Sequence, residues 1–286
     1  NTRPGSRRNI SRHYDLGNEL FEAFLDPTMM YSCAIFPDEN SSLEEASLHK
    51  MDVVCTKLQL APQDELLEIG AGWGGLAIHA ARNYGCRVTT TTISERQRDL
   101  AVERIRAAGL ESRITVLLED YRDLPRRLNR RFKKLVSIEM IEAVGERYLD
   151  RYFQTCGGLL EPGGMMFLQS IVIADRFYDS YRRSVDFIQR YIFPGGFLPS
   201  VSAMRDSIGR VTDLAPTELR DITPHYAITL DRWRRNFMSR LDRIRGLGYD
   251  ERFIRMWEYY LCYCEGGFRE GTIGDVQLLL TKPLRS

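Results

Sequence analysis

The stretch from Asp64 to Gly75, DELLEIGAGWGG, leaves this chain few folds to choose from. A short apolar run ends in a turn carrying glycines at 70, 72, 74 and 75. LAIHAARNYG then continues as a helix that Gly85 is placed to stop. Glycine adopts backbone angles closed to other residues and lets the main chain approach a ligand closely. The helix behind the turn offers N–H groups with no partner of their own. A strand, a glycine turn and a helix in that order open a βα unit, and the pattern repeats. CRVTTTTIS is β-branched and reads as a second strand, and ERQRDLAVERIRAAGL as an amphipathic helix ending at Gly109. RITVLLED, KKLVSIEM and GGMMFLQSIVI supply three more strands. ELRDITPHYAITL is a candidate sixth strand, residues 230–268 are helical, and DVQLLLTKP closes the set. Strands alternating with helices predict an α/β fold with a mostly parallel, seven-stranded sheet covered on both faces.

The glycine turn also narrows the ligand. A dinucleotide site places an acid about 20 residues after the first glycine. Here that stretch is Val88-Thr89-Thr90-Thr91-Thr92, without a carboxylate. Instead Glu68 precedes the first glycine, giving ExGxGxG, the form suited to S-adenosylmethionine, whose sulfonium is cationic and needs no phosphate cradle. A glycine-rich turn with no ligand is the plainer reading.

Composition excludes other classes. Forty basic and thirty-nine acidic residues leave a net charge of +1, so no global field points to nucleic acid. No apolar run reaches the ~18–20 residues of a membrane span, and no signal-peptide pattern is present. Cys33, Cys55, Cys86, Cys156, Cys262 and Cys264 form no CxxC pair and no His cluster joins them, which argues against a metal. Scattered thiols of this kind suit a reducing, cytoplasmic setting.

Several motifs in order resemble the cyclopropane fatty acid synthase family, which includes the mycolic acid cyclopropane synthases and methyltransferases. They are HYDLGNELFEAFLD, MMYSCAIFP, LLEIGAGWGG, TTTTISERQ, EDYRDL, EMIEAVG, RYIFPGGFLPS, HYAITL and MWEYYLCYCEGGF, from about His13 to Lys282. Long members of that family carry an additional N-terminal domain. The resemblance implies a Rossmann-like methyltransferase fold. Residues 1–60 would form an N-terminal helical segment covering the active site. Residues 61–286 would form the cofactor-binding domain, with an inserted helical lid at about 174–205.

It also implies a reaction. A methyl group passes from S-adenosylmethionine to a cis double bond of an unsaturated phospholipid acyl chain. The resulting carbocation loses a proton to bound bicarbonate and closes to a cyclopropane. Glu142 matches the family's bicarbonate-binding glutamate and Tyr260 its active-site tyrosine. The backbones of Cys33 and Ile171 would help hold the same anion. Gln169 stands where many members carry a His; it can hydrogen-bond but cannot titrate, so a methyl-branched or methylene product stays open. Glu139 is an extra acid where many members have a small residue, and either serves the pocket or caps structure. For the cofactor the candidates are Tyr31, Ser32, Glu68, Gly70, Gly72, Gly74, Thr92, Ile93, Gln97, Asp120 and Tyr121. The plainer reading of each is turn chemistry, strand-end capping or core packing. His13 and His225 are given structural roles.

An acyl chain must be drawn from a bilayer, so a peripheral membrane position and a homodimer complete the expectation. Arg176, Arg182, Arg183 and Arg190 in the aromatic insertion suit anionic headgroups. The run Arg122, Arg126, Arg127, Arg130, Arg131, Lys133 and Lys134 reads as a solvated face with ordinary ion pairs. Two other readings compete: a small-molecule N- or O-methyltransferase, and an idle lipid- or cofactor-binding protein.

Overall fold

Strands β1 (Glu65–Ile69), β2 (Arg87–Thr92), β3 (Ile114–Leu118), β4 (Phe132–Ile138) and β5 (Leu160–Ile173) pair in parallel in the order β3-β2-β1-β4-β5. A computed structural model describes residues 5, 16–38 and 40–284, so His13 lies outside the described residues. β7 (Ile273–Thr281) joins antiparallel to β5, and β6 (Ala215–Asp221) pairs antiparallel with β7 at the edge. The seven strands therefore run β3-β2-β1-β4-β5-β7-β6, with β7 alone reversed.

Short helix α1 (Asn18–Glu22) precedes α2 (Leu43–Lys57), which begins in a capping box between Ser42 and Glu45. Helices α3 (Gly75–Asn83), α4 (Glu95–Ala107), α5 (Leu124–Leu128) and α6 (Leu149–Leu159) follow their strands. After β5 come α7 (Asp175–Tyr181), a π-helical turn (Ile188–Ile192) and α8 (Val201–Val211). Helices α9 (Thr223–Ser239), α10 (Leu241–Gly246) and α11 (Glu251–Arg269) lead into β7.

Two sequence expectations shift. The candidate sixth strand stops at Asp221, and PHYAITL opens α9 instead. Pro224 sits in the first turn of α9, where its missing N–H costs nothing. Tyr226, Leu230, Trp233 and Phe237 recur at helical spacing and are all buried, which overrides the strand preference of Ile228 and Thr229. The insertion is also shorter than 174–205. Helix α8 begins at Val201 and packs Met204 and Ile208 into the core beside Leu149 and Leu159. It is an ordinary layer helix.

Three apolar clusters hold the layers. One joins α2 and α3 to the sheet, a second joins α6 and α8 to its other side, and a third is aromatic. The third gathers Phe21, Phe24, Trp73, Trp233 and Trp257. Five-residue α1 is far too short to persist alone. Burying Phe21 and Phe24 completely, worth roughly 2–3 kcal/mol each, fixes it against Trp73 and Trp257.

Candidate active site

A cavity of about 770 Å³ opens beside the carboxyl ends of β1, β2, β4 and β5, the position where such sheets bind ligands. The glycine turn forms part of its wall. Gly70 has φ +100°, and a Cβ there would press on Met140 at 3.2 Å. Gly72, at φ +50°, has nothing within 4 Å of the place a Cβ would occupy. That leaves room for a ligand against bare backbone. Gly74 differs from expectation: it does not line the cavity but meets Ala101 of α4 at 3.3 Å. Its role is to let α4 pack against the turn.

Glu68 lines the cavity and is 3% exposed. Burial pushes its carboxyl up to about 8. Its Oε2 is closed to water and has no hydrogen-bond partner. An unpartnered buried carboxylate oxygen costs free energy, and a cationic, donor-bearing ligand would satisfy it. Thr92, Ile93 and Gln97 share the wall, with the Thr92 hydroxyl donating to Gln97 Oε1 at 2.8 Å. Asp120 and Tyr121 also line it. The Asp120 carboxylate accepts from the Arg122 guanidinium at 2.6 Å and from the Arg122 N–H at 3.0 Å, so it caps its own turn as well. These residues fit S-adenosylmethionine: an acid for its cationic part, open backbone and polar strand ends.

The other walls are apolar and aromatic. Loop residues Met29–Ser32 enter from the N-terminal segment, and Phe193–Leu198 from the insertion. The Tyr31 and Tyr260 hydroxyls bond each other at 2.8 Å. Tyr260 also meets Phe193 edge-on at 6.1 Å. Ser32 Oγ accepts from Lys50 Nζ at 2.8 Å.

The acids behave differently from one another. Glu142 accepts the Ile171 N–H on Oε1 at 2.5 Å, while its Oε2 has no partner. Burial, then the neighbouring Glu139, pushes Glu142 up to about 8. Glu139 follows the last residue of β4 at φ +45°, a left-handed conformation that favours glycine. Holding a glutamate there costs on the order of 1–3 kcal/mol. Its Oε1 accepts from the Cys33 N–H and from Gln169 Nε2, both at 2.8 Å. Its Oε2 accepts from the Tyr226 hydroxyl at 2.7 Å.

Two expected site residues sit elsewhere. Cys33 and Gln169 are fully buried and do not line the cavity. They stand behind Glu139 and hold it. Gln169 also bonds Asp275 at 3.1 Å and accepts from Gln277 at 3.0 Å. The N–H groups of Cys33 and Ile171, expected on a bicarbonate, are engaged by this chain's own Glu139 and Glu142. Burial raises the Cys33 thiol well above its usual range, with Asp275 and Glu139 adding to the effect, so it is no nucleophile. His225 has the structural role expected: its Nδ1 accepts the Phe36 N–H at 3.3 Å.

Four participants were missed: Lys50, Tyr226, Asp275 and Gln277. Lys50 had a signal, since it falls on the apolar face of α2 with Leu43, Ala46 and Val54. Asp275 and Gln277 alternate on one face of an otherwise apolar strand. Tyr226 was overshadowed by His225 in the same motif. Among the described residues no group of His, Cys, Asp or Glu could hold a metal ion.

The sheet order, the single reversed strand and the glycine turn define the Rossmann-like fold of S-adenosylmethionine-dependent methyltransferases. More closely, the chain belongs to the Mycolic acid cyclopropane synthetase family, which it matches over residues 2–278. It is 42% identical over 288 residues to Tuberculostearic acid methyltransferase UfaA1 of Mycobacterium tuberculosis, covering 98% of this chain and 66% of that protein. It is 41% identical over 267 residues to Cyclopropane-fatty-acyl-phospholipid synthase of Escherichia coli, covering 93% of this chain and 65% of that one. The chain thus spans just under two thirds of the length of these relatives. Mycolic acid cyclopropane synthase CmaA1, solved in complex with SAH and CTAB, superimposes with a TM-score of 0.89 at 29% identity, covering 96% of this chain and 98% of that one.

Proposed function

We propose that this protein transfers a methyl group from S-adenosylmethionine to a cis double bond of an unsaturated phospholipid acyl chain, and that the product is a cyclopropane fatty acid. The observation that carries the reading is one cavity with two kinds of lining. Gly72, Glu68 and Gln97 suit the cofactor, and Tyr260, Phe193, Ile171 and their neighbours suit a hydrocarbon chain. The relatives' names, cyclopropane-fatty-acyl-phospholipid synthase among them, support the same substrate class.

S-adenosylmethionine, when bound, supplies an electrophilic methyl group. The rest falls on the chain. An alkene is a weak nucleophile, so its carbons must be held in line with the methyl donor. Aromatic faces stabilise the cation that forms by about 2 kcal/mol each when desolvated, about 30-fold in rate. Fixing the geometry is worth more, roughly 7–11 kcal/mol, so positioning dominates. The apolar walls also exclude water, which would trap the cation as an alcohol. Bicarbonate is left out of this reading, because the N–H groups that would hold it are already bonded to Glu139 and Glu142.

A second reading ends the same cation as a methylene or methyl branch. Gln169 in place of the family's His and the resemblance to a tuberculostearic acid methyltransferase favour it. Mass spectrometry of unsaturated phospholipid vesicles incubated with methyl-labelled S-adenosylmethionine separates the cases. A gain of one CH2 with loss of the alkene is the expected ring. A gain with an alkene retained supports the second reading. Label in a small amine, with lipid unlabelled, overturns both.

A further inference from the structure

We propose that Glu139 is the proton acceptor of this reaction, a carboxylate of the chain itself standing where a bound anion would otherwise be needed. The inference rests on the lipid-methylation reading above.

Three N–H and O–H donors converge on this side chain, and Asp275 lies within hydrogen-bond reach of it. The Cys33 N–H and Gln169 Nε2 reach Oε1 at 2.8 Å, and the Tyr226 hydroxyl reaches Oε2 at 2.7 Å. The set resembles an oxyanion cradle already filled. Glu139 and Tyr226 face the cavity, whereas Cys33 and Gln169 lie behind, so Glu139 is the carboxylate of the group that substrate can touch. Its backbone sits at φ +45°, where glycine would be unstrained. Strain kept at one residue beside a ligand cavity points to a use for its side chain. The glutamine at 169 fits the same picture. It cannot take a proton, but its amide is an N–H donor for a carboxylate, and Gln277 and Asp275 hold it in place. An external anion bonded to the Cys33 N–H would have to displace Glu139 and then lie against its carboxylate. Like charges so placed repel. Burial pushes Glu142 up to about 8 and Asp275 well above the usual carboxylate range. Both therefore favour their protonated forms more than an ordinary carboxylate does.

The step balances without another reactant. A C–H bond breaks at the carbon that arrived as the methyl group. Its electron pair forms the C–C bond that closes the ring on the cationic carbon, and the proton passes to Glu139. If a hydride has first shifted from the neighbouring carbon, the same pair forms the double bond of a methylene branch. The acceptor is the same in both cases.

The test compares wild type, Glu139→Gln and Glu139→Gly in buffer stripped of carbon dioxide, with and without added bicarbonate. Lipid methylation and S-adenosylmethionine affinity are both read. Wild type should run at the same rate in both buffers, within about two-fold. Glu139→Gln should lose on the order of 10²-fold or more in turnover, with cofactor affinity kept. Glu139→Gly uncovers the Cys33 N–H, and added bicarbonate should raise its rate about tenfold or more. A wild-type rate that falls tenfold without bicarbonate overturns the assignment, as does full activity in Glu139→Gln that binds cofactor normally. If either variant fails to bind cofactor, the wild-type comparison alone decides. If wild type labels no lipid in either buffer, the reaction reading itself is wrong, and the assignment falls with it.

Discussion

Glu68 and Glu142 make the cofactor-free protein sensitive to alkali. Both are raised from 4.5 to about 8, burial being the main cause. The folded state then holds protons that the unfolded state has released. Stability from these groups is greatest below about pH 4.5 and is lost as pH rises through 8. Each group sets a slope of at most about 1.4 kcal/mol per pH unit. Urea unfolding of cofactor-free protein should give falling stability from about pH 6 to about pH 8, and Glu68→Gln should remove part of that slope. Lys50 poses the opposite case. It is fully buried, bonded to Ser32, and feels Glu139, Asp275 and Asp26 as counter-charges, while burial lowers its own pKa. Lys50→Met strands those acids and should cost about 3–5 kcal/mol, read by chemical denaturation.

The elements meet closely where the glycines allow it. A Cβ on Gly75, at the start of α3, would lie 2.6 Å from the Thr28 carbonyl. Backbone there cannot step aside as a side chain would. Gly75→Ala should destabilise by about 1–3 kcal/mol and weaken cofactor binding, because it pushes on the loop carrying Tyr31 and Ser32. Gly158, exposed near the end of α6 with nothing within 4 Å, is the control. Gly158→Ala should stabilise by about 0.5–1 kcal/mol, both variants being read by thermal melting. The βα rhythm was legible because each strand is a short apolar or β-branched run closed by a turn residue. The start of α9 was not, because Ile228 and Thr229 carry strand preference, and only tertiary packing, such as that of Trp233 against Phe24 and Tyr31, makes the helical spacing worth more.

At the scale of the whole molecule the exposed aromatics fall together. Tyr191 at 53% and Tyr259 at 52% exposure both pack on Phe187, and Val185 is 73% exposed nearby in sequence. Arg190 lies over the Tyr191 ring at 5.5 Å. Under the proposed lipid reaction, this is the face we propose to meet an anionic lipid surface. The run at 122–134 behaves otherwise: Arg122 is buried against Asp120, and Arg127 and Arg130 pair with Glu119 and Glu65. No helix among the described residues is long and apolar enough to cross a membrane. Val185→Asp combined with Tyr191→Ala should reduce sedimentation with anionic vesicles several-fold, an effect of about 1 kcal/mol, and leave cofactor affinity unchanged. Raised salt should weaken the wild-type interaction in the same assay.

What the sequence determined by itself was everything written in short range. Strand runs, glycine turns, the ExGxGxG loop and the Ser42 cap depend on neighbours a few residues apart, and their chemistry can be read locally. The family resemblance belongs with these, since its motifs are local strings. The tertiary structure decided which side chains share the cavity. Cys33, Glu139, Gln169, Tyr226 and Asp275 lie on a loop, a strand end, β5, α9 and β7, up to 242 residues apart. Their meeting follows from sheet order and crossover, not from spacing. It turned Gln169 from a ligand candidate into the support of Glu139, and made an unremarked lysine the counter-charge of a buried acid group, because a carboxylate's role is set by the donors and charges that folding brings to it.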